Sequence, residues 1–202
     1  MNILDQIFLL LTGLTAIYLV FRFYQDFQKT KKRANIHYMV SFLVLLVSGL
    51  LLIFYGYGIL NSQWVKVVAY LIPFLLAQGL VCEFYEDKAK YYLIFGIIGL
   101  LLIAFAPGSL KVVSLATFHS VAGLLIFFLP IIVTKSGKAP GGFIWVTVGG
   151  TLIGLGGVAL AFLKAGTQFL FFSADFVFTI LAPLLLLMAL AYTYGFMKKM
   201  NG

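Results

Sequence analysis

Seven apolar runs divide this chain, at 3–24, 36–60, 64–84, 90–107, 111–134, 142–163 and 168–197. As helices, each is long enough to cross the roughly 30 Å hydrocarbon core of a bilayer, which takes about 20 residues. No other feature limits the fold as tightly. In hydrocarbon, every backbone N–H and C=O has to find its partner inside the protein, so runs of this length must be helices. The expected fold is all-α: a polytopic integral membrane protein whose seven transmembrane helices form a single transmembrane domain over residues 1–202. Composition agrees, with 63% hydrophobic residues, 10% charged and a mean hydropathy of +1.10. A soluble domain of this size could not hide so much apolar surface. The first run is not read as a signal peptide, because its positive charges follow it.

The loops set the orientation. Arg22, Lys29, Lys31, Lys32 and Arg33 follow the first run, Lys88 and Lys90 the third, Lys135 and Lys138 the fifth, and Lys198 and Lys199 the seventh. Eleven of the 14 basic residues thus fall on one side, leaving Lys66, Lys111 and Lys164 on the other. The positive-inside rule then places the N-terminus outside and the C-terminus in the cytoplasm, with a prokaryotic inner membrane as the expected location. The formal charge of +8 sits in loops without interleaved aromatics, which suits anionic lipid headgroups and not nucleic acid. Cys82 is alone and the histidines, His37 and His119, are far apart, so no disulfide and no metal centre is expected. Glu83, Glu86 and Asp87 read as a solvated acidic loop with loose ion pairs.

Within the last run, Asp175 stands about a third of the way along and Pro183 near the middle. A charge at bilayer depth costs on the order of 3 kcal/mol, so it needs a partner or a task. Thr179 lies one helical turn after Asp175, on the same face. Pro183 deprives the Thr179 carbonyl of its usual donor. Acid, hydroxyl and freed carbonyl together make a candidate pocket for an ion or small solute. The alternative is structural: Asp175 pairs with Lys164, Lys111 or Lys66, all expected near the outer surface. Gln78, beside Pro73 in the third run, needs hydrogen-bond partners in apolar surroundings. Pro73 and Pro183 are candidate hinges. In the sixth run Gly150, Gly154 and Gly157 are candidate helix-packing positions. His119 could ligate a haem or pigment, although hydrogen bonding to a neighbouring helix is the commoner outcome for a single helix histidine.

Three local patterns recur in order. Gly13-Leu14 is matched by Gly123-Leu124, Gly49-Leu50 to Gly58 by Gly157-Val158 to Gly166, and Pro73 with its Leu-rich flanks by Pro183, at separations of 110, 108 and 110 residues. They point to a 3+1+3 parallel repeat, residues 3–90 and 113–200 joined by a helix over 91–110; convergent placement of glycine and proline is the alternative. Seven helices with an outside N-terminus and this plan resemble the group that includes microbial opsins and the seven-helix sugar transporters. Asp175 takes the place of an opsin Asp, but Thr179 stands where the retinal-binding Lys would follow. On either side of Pro73, Val67 and Gln78 occupy places where opsin pumps carry carboxylates. The resemblance implies an architecture. A retinal Schiff base is excluded at Thr179, because a hydroxyl cannot form one.

No serine-hydrolase elbow, zinc-protease helix or phosphate-binding loop is present in the sequence, so an enzyme is not expected. No cofactor is predicted. The leading expectation is a transporter or channel-like protein for a small solute or ion, with its pocket on the last helix. The alternative is a non-enzymatic ligand- or pigment-binding module, a receptor, or an accessory subunit of a larger membrane complex. Membrane lipids are expected partners, and a homo-oligomer fits either reading.

Overall fold

A computed structural model describes residues 1–164 and 173–201, and of residues 158, 160–164 and 174 the backbone alone. The described residues form an all-helical bundle without strands. In order come α1 (Ile3–Thr30), α2 (Ala34–Tyr55), α3 (Gln63–Phe84), α4 (Glu86–Phe105), α5 (Gly108–Lys135), α6 (Trp145–Lys164) and α7 (Ala174–Asn201). Short 3-10 turns precede α3 (Tyr57–Asn61) and α6 (Gly141–Ile144). Helices α1 to α5 and α7 are long and apolar enough to cross a membrane; Gly141–Gly157 is a further, shorter apolar stretch. The bundle is consistent with an integral membrane protein.

Local chemistry decides where the helices start and stop. At the head of α1, Asn2 Oδ1 accepts from the Asp5 N–H at 2.8 Å while Asp5 Oδ2 accepts from the Asn2 N–H at 3.1 Å. This capping box satisfies two donors that the first turn leaves open. Gly56, at φ +67°, ends α2 at Tyr55. The second apolar run therefore breaks into a helix and a 3-10 turn instead of continuing to residue 60. The expected start of the last helix, Gln168, lies outside the described residues, as does Gly166 of the repeat. Ser173 is not helical: its Oγ accepts from the Phe176 N–H at 3.2 Å and its carbonyl from the Val177 N–H at 3.0 Å. Asp175 is thereby placed in the first turn of α7 and is exposed, not a third of the way along a spanning helix. There a carboxylate meets the positive end of the helix dipole and is stabilised instead of penalised.

Each helix packs on its neighbour in sequence, α3 also meets α5, and α7 returns to α1. The ring therefore closes through an α1–α7 seam. Helix α4 lies against α3 and α5. It comes close because Gly96 leaves room for the Phe74 ring, which a Cβ would meet at 1.8 Å. The remaining outer surface is apolar, with Phe54 and Phe105 more than 70% exposed, as hydrocarbon solvent favours.

Inside the ring, Phe23, Tyr38, Phe42, Phe143, Tyr192 and Phe196 pack together from α1, α2, the turn before α6, and α7. Ring centroids lie 4.8 Å apart for Phe23–Tyr38 and Tyr38–Phe196, and 5.7 Å for Phe143–Phe196. Aromatic contacts at such spacing add about 0.5–1.5 kcal/mol each to simple burial. Hydroxyls tie helices across the ring: Ser41 donates to the Ile72 carbonyl at 2.8 Å, and Thr147 to the Phe127 carbonyl at 2.8 Å. Glycines that match between the proposed repeats do not share surroundings. Gly49 faces the Leu9 carbonyl of α1, whereas Gly157 meets no described atom within 4 Å.

Candidate functional site

Two polar clefts open at the two ends of the α1–α7 seam. The first, of about 450 Å³, lies at the helix starts and is lined by Asn2, Asp5, Tyr57, Asp175, Phe178 and Thr179, together with Met1. Asp175 and Thr179 thus do share a cavity, but the Thr179 hydroxyl donates to the Asp175 carbonyl at 2.7 Å and so turns back on its own helix. Asp5, 7% exposed, brings a second carboxylate. Tyr57 belongs to the turn before α3; burial, and then the Asp5 carboxylate, push its phenol up to about 12. Two acids and a neutral phenol line this cleft, a set of groups that suits a cation.

The other expected residues are elsewhere. Gln78 is 2% exposed and donates to the Ala89 carbonyl at 3.1 Å, joining α3 to the start of α4; its Oε1 has no described partner. His119 is exposed on the outer face of α5, not aimed into the bundle. Lys66 and Lys111 are half-buried and form no ion pair among the described residues. Thus neither is the partner of Asp175, and the side chain of Lys164 lies outside the described residues. Pro73 and Pro183 both sit inside continuous helices. Of the packing glycines, Gly150 lies under Ile126 of α5, where a Cβ would stand 2.7 Å from the side chain. Gly154 and Gly157 meet no described atom within 4 Å. The close approach to α7 is made instead by Gly149, beside Tyr192, and Gly156, beside Leu184.

The larger cleft, about 920 Å³, is at the helix ends that carry the basic loops. Its lining includes Asp26, Lys32, Glu83, Lys138, Pro140 and Lys199. Glu83 is the residue that sequence reasoning misjudged. Its side chain is 9% exposed, not a loop charge in solvent, whereas Glu86 and Asp87 are exposed in the first turn of α4. Glu83 Oε2 accepts from the Lys199 ammonium and, at 3.0 Å, from the Tyr38 hydroxyl. Lys32 approaches Oε1 at 3.8 Å. The Lys199 side chain is 10% exposed, and its ammonium lies 5.1, 5.7 and 5.8 Å from the ring centres of Tyr38, Phe196 and Phe143. Removing a charge from water is tolerable only with this degree of compensation. Asp26 is held nearby by the Asn35 amide at 2.7 Å.

Between the clefts the seam is buried and mainly apolar. From Asp5 to Asp26, α1 buries Leu9, Thr12, Ala16, Leu19 and Phe23; from Thr179 to Lys199, α7 buries Ala182, Met188, Ala189, Tyr192 and Phe196. Thr12, the polar member, donates to its own helix at 2.8 Å, to the Phe8 carbonyl. No protein-family model, curated protein or solved structure matches this chain.

Proposed function

We propose that this protein is a membrane carrier for a small solute or ion, without enzymatic activity, oriented with its basic loops in the cytoplasm and its N-terminus outside. One observation carries the reading: polar clefts at opposite ends of a single helix–helix seam, with an apolar plug between them. A channel needs a continuous wet path, and the plug removes it. A carrier needs two half-sites and a barrier that yields to one side at a time. Helix α7 belongs to both half-sites, through Asp175 and Thr179 at its start and Lys199 at its end. Pro183 lies between them and gives that helix a point at which to flex.

The test is uptake into proteoliposomes across a panel of labelled inorganic cations, amines and zwitterions. The expected result is uptake of at least one class by the wild type and its loss in Asp175→Asn, with the thermal midpoint nearly unchanged. Wild-type uptake that Asp175→Asn leaves intact would remove Asp175 from the site, and no uptake of any class would remove the carrier reading.

A further inference from the structure

The Lys199 cage in the larger cleft is built to hold an ammonium group. Recognition of an alkylammonium in a protein calls for a carboxylate at contact distance and aromatic faces around the methylene or methyl groups. Glu83 supplies the first, and the rings of Tyr38, Phe143 and Phe196 the second. The Tyr38 hydroxyl, donating to the same carboxylate oxygen, fixes its orientation. This constellation lies on the wall of a cavity of about 920 Å³, far more room than one lysine side chain requires.

We propose that this cage is the ammonium half of a binding site for zwitterionic ammonium solutes, and that Lys199 is its resident stand-in. Charge balance selects the class. With Lys199 withdrawn, the cleft presents Asp26 and Glu83 against Lys32 and Lys138. These charges balance two against two, so a simple organic cation would leave the cleft with a net positive charge, whereas a zwitterion leaves it neutral. A solute with an ammonium at one end and an acid group at the other offers each pair its complement. Lys138 is free to take the acid group, since its contact is the face of Tyr85 at 5.3 Å and it has no ion pair among the described residues. Lys32, with its side chain 59% exposed and 3.8 Å from Glu83, can turn outward. Lys199 then acts as a gate: in place it closes the cage, and the incoming ammonium displaces it into water.

The inference names the substrate class of the carrier proposed above and rests on that reading for its physiological meaning, but its test needs no flux. Purified wild type is acylated with an amine-reactive reagent, and labelling of Lys199 is read by mass spectrometry. Trimethylglycine, which the reagent cannot modify, is the probe, with tetramethylammonium chloride and sodium chloride at matched concentration as controls. Expulsion of Lys199 should raise its labelling several-fold with trimethylglycine and less with tetramethylammonium, while Lys66 labelling stays constant. Equal Lys199 labelling in all three solutions overturns the proposal. In Lys199→Ala the cage is vacant, so trimethylglycine should bind at least about tenfold tighter than to wild type, the tethered competitor being gone. Lys199→Ala with Glu83→Gln, which leaves the cage without its carboxylate, should lose that binding; if the double variant binds equally well, the cage is not the site. Expulsion of Lys199 without any uptake in proteoliposomes would keep the site and remove the carrier. Uptake of another solute class with no response of Lys199 would do the reverse.

Discussion

The two ends of the α1–α7 seam solve the same problem, holding carboxylates at the end of an apolar helical bundle, in opposite ways. At the helix starts, Asp5 and Asp175 are placed by local backbone chemistry: a capping box in one case, a position in the first turn after Ser173 in the other. Asp5 accepts from the Asn2 N–H, and Asp175 stands at the positive end of the α7 dipole. At the helix ends, Glu83 is placed by tertiary structure, with a cation from α7, a hydroxyl from α2 and a lysine from the α1–α2 junction. The first arrangement leaves the exposed Asp175 carboxylate available to a ligand. The second uses its carboxylate up, and frees it only if Lys199 moves.

The largest expected effect is on the second end. Glu83→Ala leaves the Lys199 charge nearly buried without a partner, which should destabilise the protein by about 3–5 kcal/mol. Replacing both, as Glu83→Met with Lys199→Met, should restore stability to within about 1 kcal/mol of wild type or exceed it. Thermal unfolding in detergent reads both, and a small effect of Glu83→Ala would mean that the pair is wet. Asp5→Ala removes half of the capping box and should cost on the order of 1 kcal/mol. Lys32→Ala touches an exposed contact at 3.8 Å, for which less than about 0.5 kcal/mol is expected.

Alkaline titration gives the finest comparison. The Tyr57 phenol, raised to about 12 by burial and by Asp5, ionises in the unfolded chain at about 10. Its contribution to stability is therefore complete below pH 10 and fades as pH climbs through about 12, because the unfolded chain loses its proton first. Tyr57→Phe should lose less stability than wild type over that interval. Parallel curves would place Tyr57 in water.

The all-helical class was legible because long apolar runs leave no other way to satisfy the backbone; six of the seven runs return as helices long and apolar enough to span, and α1 to α5 fall close to the expected ranges. The depth of Asp175 was not. Hydropathy sums the apolar residues before Ser173 into one run, whether or not they are helical. The available signal was Ser173 itself, a capping residue just ahead of an acid in the first turn. The Glu83–Lys199 pair spans 116 residues, and no local pattern connects them. A hint existed in the face that Tyr192, Phe196 and Lys199 share on α7, a basic residue one turn beyond two aromatics. The glycines of α6 were half legible. Small residues predicted close packing, but which side the neighbours occupy is decided by the bundle, so Gly149 and Gly156 carry what was expected of Gly154 and Gly157.

The central claim is that the plug between the clefts opens to each side in turn. Ala189 lies on α7 between Thr179 and Lys199 and is 0% exposed. In a Cys82→Ala background, Ala189→Cys in sealed vesicles can be challenged with a membrane-impermeant thiol reagent from either face. The account predicts slow but measurable modification from both faces. Modification from neither face, with full reaction only after denaturation, would contradict it.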